Sequence, residues 1–145
     1  MKTKEEIVLE TLQAYADPAN RAVIQKDDRP VCLYRNTSAT PPTHCAVGRC
    51  MTEEALNRAS NTIEAFQSLP FQIGFTYHDE LLRPEYRGHE TDFWITLQKL
   101  HDANCYWTPH PDAPDNHLHN RYNFIKLHFP AALPRALKLN LVKKP

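Results

Sequence analysis

The residues best suited to binding a metal ion or to reacting chemically lie between positions 31 and 51, in the stretch VCLYRNTSATPPTHCAVGRCM. Four side chains there are candidate ligands for a tetrahedral zinc ion, because zinc prefers thiolate and imidazole: Cys32, His44, Cys45 and Cys50. Structural zinc sites usually space their ligands in close pairs, whereas Cys45 and Cys50 are slightly too far apart and Cys32 has no close partner. The alternative is that these cysteines act as small hydrophobic residues in the core of a hairpin.

The step His101–Asp102 is the second candidate for chemistry. Its side chains could bind a metal, or the carboxylate could orient the imidazole as a general base. Adjacent residues on a helix point about 100° apart, so we expect that the two do not easily bind one ion together. Charge pairing at a helix C-terminus is the alternative interpretation. The same dipeptide at His78–Asp79 lacks the further ligands of a metal-dependent phosphohydrolase.

The second half of the chain adds histidines and aromatic residues. His117 and Arg121 are spaced to lie one turn apart on a helix, and we predict that they belong to a polar face in water. Trp107 stands beside a proline-rich loop. We expect it to be the aromatic residue that stays at the surface and contacts a ligand or partner.

Three short motifs resemble a family of small uncharacterised bacterial and phage proteins. They are Cys32-x-Tyr34-Arg35, Cys45-Ala46-Val47-Gly48 and Leu97-Gln98-x-x-His101-Asp102, and together they cover about a third of the chain. The sequence departs from the pattern in its longer, proline-rich loop without the usual glycine, and in Arg49-Cys50-Met51 after Gly48. The family has no assigned reaction. The resemblance implies that the following residues meet in space: Cys32, Tyr34, Arg35, Cys45, His101 and Asp102.

If these residues lie together in space, they form a pocket in which each residue type has its own chemical role. Tyr34 and Arg35 are then candidate ligand-binding residues, with the guanidinium holding an anion in a bidentate manner. The candidate catalytic residues are His101, Asp102 and Cys45. His101 would move a proton, and Cys45 would act as nucleophile if a neighbouring positive charge lowered its pKa.

The elements that must position these residues follow from periodicity and capping. A capping box at Thr3–Glu6 predicts a helix over about residues 4–16, and Pro18 predicts a short helix over 18–25. A third helix is expected to begin at Thr52, a fourth at Thr91 and a fifth near Asn116. The apolar stripe of the third helix is Leu56, Ala59, Ile63 and Phe66.

The strands are predicted from apolar runs and alternation. Residues 31–35 and 46–47 should pair as an antiparallel hairpin around 31–48, and the alternation over 71–77 predicts a half-buried strand. A last strand is expected over 137–141. The predicted fold is therefore α+β, with a small antiparallel sheet packed by four or five short helices in one globular domain, 1–145.

Composition excludes several classes of function. Lys plus Arg and Asp plus Glu both number 17, so we expect no general binding to nucleic acid. The three glycines are isolated, which excludes the common phosphate-binding loops. No signal-like or membrane-spanning apolar run is present, so we predict a cytoplasmic protein with reduced thiols and no membrane association.

We therefore expect a non-catalytic cytosolic protein that binds a host or phage protein, for example a phage-borne accessory or an inhibitor of a host defence protein. No cofactor is predicted, although zinc is possible. One alternative is an enzyme, or a binder of a small molecule or nucleotide, that uses the pocket of cysteine, arginine and histidine. The other alternative is a structural zinc-binding domain.

Overall fold

The computed structural model describes residues 1–59, 62 and 65–145. In this part of the chain the α+β prediction is confirmed, with six α-helices and two antiparallel sheets of two strands each. The chain forms two compact units. Unit 1 comprises Met1–Lys2 and Arg21–Asp102, and unit 2 comprises Thr3–Asn20 and Ala103–Pro145. The assignment of the whole chain to one domain stays a prediction.

The strands of unit 1 form two short hairpins. β1 (Val23–Lys26) pairs with β2 (Arg29–Cys32), and β3 (Arg35–Asn36) pairs with β4 (Thr43–His44). A hairpin within the predicted range 31–48 is present as β3 and β4, but the paired residues are 35–36 with 43–44 rather than 31–35 with 46–47. Asp27 and Asp28 have φ angles of 52° and 62°, as in the tight turns that join neighbouring strands, so Cys32 lies opposite Val23.

Three α-helices complete unit 1: α2 (Glu53–Ala59), α3 (Leu69–Gln72) and α4 (Thr91–Asp102). The predicted starts near Thr52 and Thr91 are confirmed. α4 buries Phe93, Leu97 and Leu100 on one face, and its last two residues are His101 and Asp102. In the stripe expected to follow Thr52, Leu56, Ala59 and Phe66 are buried, whereas Ile63 lies outside the described residues.

The predicted strand over 71–77 is wrong. Pro70 stands in the first turn of α3, where proline is favoured, and Gly74 has a φ angle of 85° that turns the chain. The alternating aromatic residues therefore gain no partner strand. Phe71 and Tyr77 remain 80% and 69% exposed.

Unit 2 is helical in its described residues, with α1 (Lys4–Ala14), α5 (Asn116–His128) and α6 (Leu133–Lys138). The capping box at the start of α1 is confirmed. The Glu6 amide donates to Thr3 Oγ1 at 3.1 Å, and the Thr3 amide donates to Glu6 Oε2 at 2.8 Å. The predicted helix over 18–25 is wrong, since a single 3₁₀ turn at Pro18–Asn20 precedes β1.

The predicted last strand over 137–141 is also wrong. Pro134 lies in the first turn of α6, and the helix ends before Asn140, whose φ angle is 57°. Leucine is a good helix former, so its alternation alone does not produce a strand without a neighbour to pair with.

Two side chains of unit 2 are buried where the sequence predicts exposure. Arg121 is 4% exposed and Trp107 is 1% exposed. The guanidinium of Arg121 lies 4.9 Å from the centre of the Trp107 ring, and Tyr15 packs edge-on against the same ring at 5.8 Å. The tertiary packing of α5, rather than its polar composition, decides this burial. No described helix in either unit is long and apolar enough to cross a membrane.

Candidate metal-binding site

Cys32, His101 and Asp102 bring three potential ligand atoms together in unit 1. One ligand atom from each residue lies within 4.8 Å of the other two. Cys32 is the last residue of β2, while His101 and Asp102 are the last residues of α4. We call these three residues the β2–α4 cluster. In the described part of the chain no other group of three His, Cys, Asp or Glu side chains meets in this way.

Arg21 links the C-terminal end of α4, by hydrogen bonds, to the chain that enters the β1–β2 hairpin. Its Nε donates to the carbonyl of His101 at 3.0 Å, and its Nη2 donates to the carbonyl of Asp102 at 3.1 Å. The last carbonyls of a helix lack donors within the helix, so a guanidinium that reaches them completes the helix end. Arg21 immediately precedes the residues that lead into β1, and β1 pairs with β2. The same arginine therefore helps to place the hairpin that carries Cys32.

The carboxylate of Asp102 is the centre of the cluster. Its Oδ1 lies 3.0 Å from His101 Nδ1 and accepts a hydrogen bond from Gln98 Nε2 at 2.7 Å, and the Cys32 side chain is also hydrogen-bonded to this carboxylate. The Val47 amide donates to Gln98 Oε1 at 3.3 Å, which fixes the orientation of the Gln98 amide.

His101 and Asp102 bring their polar atoms together although they are adjacent on a helix, and the expectation that they do not easily bind one ion together stays a prediction. Their Cα–Cβ bonds diverge as in any helix, but Asp102 is the last residue of α4. Its side chain is free to turn toward the imidazole, so the two polar atoms meet at 3.0 Å.

Burial sets the protonation states in the cluster. His101 is fully buried, and this burial lowers its pKa although the Asp102 carboxylate acts in the opposite direction. Burial also raises the pKa of the Cys32 thiol, and the charge of Asp102 adds to this effect while Arg21 opposes it. At neutral pH the cluster therefore holds a neutral imidazole and a protonated thiol. The neutral imidazole is the form that binds metals.

The other predicted zinc ligands do not join this cluster. Cys50 Sγ contacts the carbonyl of Ala46 at 3.6 Å, and His44 lies in β4 opposite Arg35. Cys45 Sγ accepts a hydrogen bond from the Gly48 amide at 3.3 Å, and burial raises its pKa to about 12. Cys45 and Cys50 are both buried, as the hairpin-core interpretation expects.

Two predicted ligand-binding residues of unit 1 have partners elsewhere. Arg35 donates to Glu53 Oε1 and to Asn57 Oδ1, both at 2.6 Å, so it faces α2. Tyr34 is 5% exposed, and its carbonyl passes so close to Gly48 that a Cβ there would lie 2.0 Å from the oxygen. Of the residues grouped by the resemblance, Cys32, His101 and Asp102 meet, and Cys45 is near enough to influence the pKa of Cys32.

The chemistry that this geometry favours is binding. The imidazole of His101 is 0% exposed and the thiols of Cys32 and Cys45 are held protonated, so none of the three is presented to a substrate as a base or a nucleophile. The side chain of Asp102, in contrast, is 47% exposed and gives the cluster contact with solvent.

The contacts of Arg21 and Gln98 are not among the features predicted from the sequence. Gln98 and Asp102 are four residues apart on α4, and side chains at this spacing lie next to each other on a helix. Their contact could therefore have been predicted from the sequence. Arg21 reaches residues 80 and 81 positions along the chain, and no local pattern indicates such a contact.

Comparison with models of known protein families, with curated proteins and with solved structures found no match to this chain. The resemblance to the bacterial and phage family therefore stays a prediction.

Proposed function

We propose that the protein binds one divalent transition-metal ion, zinc by ligand preference, through the β2–α4 cluster. The observation that carries the proposal is the convergence of a thiol, an imidazole and a carboxylate within 4.8 Å of one another. This set departs from the four ligands expected from sequence and shares only Cys32 with them. The proposal therefore keeps the zinc hypothesis but changes the site.

The dimensions of the cluster suit a tetrahedral ion. Zinc–sulfur bonds of about 2.3 Å and zinc–nitrogen or zinc–oxygen bonds of about 2.0–2.2 Å place ligand atoms roughly 3.3–3.8 Å apart. The three ligand atoms lie within 4.8 Å of one another, and His101 Nδ1 and Asp102 Oδ1 are 3.0 Å apart, so metal binding would require the side chains to adjust to that range. Gln98 and Arg21 supply the outer hydrogen bonds that usually orient metal ligands.

A metal ion in this position would have three protein ligands and one from solvent. The exposed side of Asp102 provides the route for the ion and the place for a bound water. The ion would join the end of β2 to the end of α4. We expect its binding to stabilise unit 1, because an ion that binds only the folded form shifts the folding equilibrium.

Cobalt substitution is the sharpest test. Cobalt(II) is a standard probe for such zinc sites, and a Co²⁺–thiolate bond gives a charge-transfer band in the near ultraviolet. We expect one equivalent of Co²⁺ to produce this band in protein purified without a histidine tag, and one equivalent of Zn²⁺ to remove it. The variant Cys32→Ser should lose the band, and Asp102→Asn should bind the ion at least about tenfold more weakly.

Cys105→Ser is the matched control, because Cys105 is an exposed cysteine outside the cluster. It should retain the full band. If Cys32→Ser retains the band, or if the wild-type protein gives none, the proposal is wrong. The β2–α4 cluster is then a hydrogen-bonded link between hairpin and helix without a metal.

The second candidate is the non-catalytic binding of another protein, such as a host defence protein bound by a phage-encoded inhibitor. The observation that favours it is the exposure of Phe71 and Tyr77, since large exposed aromatic side chains are typical of binding surfaces. The double variant Phe71→Ala/Tyr77→Ala should abolish capture of a specific partner that binds the purified wild-type protein directly, whereas Leu127→Ala, also at an exposed position, should not. Equal binding by all three proteins would exclude this surface.

A cytoplasmic location is likewise a proposal. It is supported by the four cysteines, none of which forms a disulfide bond. Cell fractionation together with a count of free thiols in freshly isolated protein tests it, and disulfide-bonded protein in an extracytoplasmic fraction would contradict it.

A further inference from the structure

Unit 2 contains a buried positive charge without a counter-charge. Arg121, on α5, is 4% exposed, and its Nε has no hydrogen-bond partner in the described part of the chain. Burial lowers the pKa of Arg121 to about 10, and no neighbouring carboxylate contributes to that pKa. The guanidinium therefore remains charged at neutral pH. Buried charges in proteins are normally paired, so this one requires an explanation.

The Trp107 ring explains only part of this arrangement. The guanidinium lies over the ring at 4.9 Å, an arrangement in which the aromatic face attracts the cation. A ring face does not, however, accept the hydrogen bonds offered by the edge of the guanidinium. The Nε–H donor of Arg121 is left unsatisfied by this stacking.

A second buried nitrogen lies one helical turn away. His117 precedes Arg121 by four residues on α5, so the two side chains share a face, and His117 Nδ1 also has no hydrogen-bond partner among the described residues. The ring is half-exposed and has a hydrogen bond with the backbone of Pro114. Its half-exposed ring gives this face of α5 contact with solvent.

The charges around His117 suit an incoming anion. Asp115 lies close to it, but its carboxylate is paired with Lys143, while Arg121 and His119 act on His117 as positive groups. His117 is the second residue of α5, and the N-terminal end of a helix carries partial positive charge. The two unsatisfied nitrogens therefore lie where a negative charge is favoured from several directions.

We propose that Arg121 and His117 form a binding site for a phosphate group, with Trp107 as the platform behind the guanidinium. One phosphate oxygen accepts from Arg121 Nε–H, and a second accepts from His117 Nδ1–H once the imidazole has taken up a proton. Burial and Arg121 lower the pKa of His117 in the unbound protein, so this second hydrogen bond requires proton uptake on binding and is favoured as the pH falls. A tetrahedral anion reaches donors on two separate side chains, whereas a planar carboxylate matches the guanidinium edge alone. A water molecule would satisfy the hydrogen bonds but would leave the buried charge uncompensated. This site does not depend on the metal proposal.

Phosphate titration of the whole chain, with EDTA present and ionic strength held constant with sodium chloride, tests the proposal. The direct readout is the Nε–H resonance of Arg121 in a proton–nitrogen NMR spectrum, which should shift saturably with inorganic phosphate. Sodium acetate tests the preference for a tetrahedral anion, and O-phosphoserine tests whether the site takes a phosphate attached to an organic group. Tighter binding of O-phosphoserine assigns the site to phosphorylated ligands, and equal or weaker binding assigns it to free phosphate.

Thermal unfolding of variants gives the second readout. Phosphate should raise the melting temperature of the wild-type protein more than chloride does at equal ionic strength. Arg121→Met should weaken phosphate binding at least about tenfold. Arg135→Met, which removes an exposed arginine of α6, is the control and should respond as the wild-type protein does.

Three outcomes would overturn the proposal: an Arg121 resonance that does not move, an equal effect of phosphate and chloride, or a response to phosphate that Arg121→Met retains. The NMR measurement uses the wild-type protein, so it decides the question even if the variant fails to fold. An unmoved resonance assigns the two nitrogens to bound water.

Discussion

The protonation state and reactivity of single side chains in this protein depend on how completely burial excludes water from them. The thiol of Cys45 and the imidazole of His101 differ chemically, yet burial moves the pKa of each toward its uncharged form. Reactivity therefore follows position in the fold rather than residue type. The exposed Cys105 and the buried Cys45 illustrate the contrast.

Thiol labelling in the folded, metal-free protein should reveal this contrast. We expect Cys105 to react first and Cys45 and Cys50 to react only as fast as the protein unfolds, because both are buried away from the reagent and burial also keeps the Cys45 thiol protonated. Mass spectrometry after timed alkylation measures the rate at each site. Fast labelling of Cys45 would contradict the described burial and would restore it as a candidate nucleophile.

Gly48 is required by a close approach of two backbone segments. A Cβ at this position would lie 2.0 Å from the carbonyl oxygen of Tyr34, so Gly48→Ala must displace the backbone. We expect a loss of about 1–3 kcal/mol in the free energy of unfolding, measured by urea denaturation.

Gly74→Ala is the comparison for Gly48→Ala. The Cβ at Gly74 would meet only the end of the Arg58 side chain at 3.3 Å, although its φ angle of 85° also disfavours alanine. We expect the smaller loss there. Because Gly48 does not have a positive φ angle, a loss at Gly48→Ala no larger than that at Gly74→Ala would contradict the close approach of the Tyr34 carbonyl to position 48.

At the scale of elements, the candidate metal site depends on one hairpin and one helix end. β2 carries Cys32, α4 carries the other two ligands, and Arg21 binds the last carbonyls of α4 from the chain entering β1. Capping and apolar periodicity predicted α4 correctly. They could not predict that β2 pairs with β1, because the pairing depends on the two-aspartate turn at 27 and 28.

Arg21→Met should loosen the end of α4 while retaining most of the apolar contact of the side chain. We expect a loss of about 1–3 kcal/mol in the free energy of unfolding, since one buried and one partly buried carbonyl lose their charged donor. Faster amide hydrogen exchange in the last turn of α4 and weaker Co²⁺ binding should accompany this loss. Arg29→Met, at an exposed position of β2, is the control and should change neither measurement.

At the scale of the whole molecule, both units contain histidines whose burial disfavours the protonated imidazole. Burial is the leading cause that lowers the pKa of His44 and His101 in unit 1 and of His117 in unit 2. The unfolded chain takes up protons on these histidines near their ordinary pKa of about 6.5, whereas the folded chain does so only at lower pH. Stability must then fall as the pH decreases below about 6.5.

Urea denaturation in EDTA at pH 7.5, 6.5 and 5.5 measures this effect. We expect the unfolding midpoint to decrease over the last interval, and His101→Asn to show a shallower decrease because one of the three histidines is removed. A midpoint that does not change with pH would show that these imidazoles take up protons equally in the folded and unfolded states.

The sequence by itself determined the α+β class, the capping box of α1 and the starts of α2 and α4, because capping and helical periodicity are local properties. It also identified Cys32, His101 and Asp102 as candidates, because their side chains are able to bind metals. Tertiary structure decided which candidates meet, the helical state of 69–72 and 133–138, and the burial of Arg121 and Trp107. These outcomes depend on which segment packs beside which. An alternating run becomes a strand only when another strand lies beside it, and a polar helix face is exposed only where no other segment covers it.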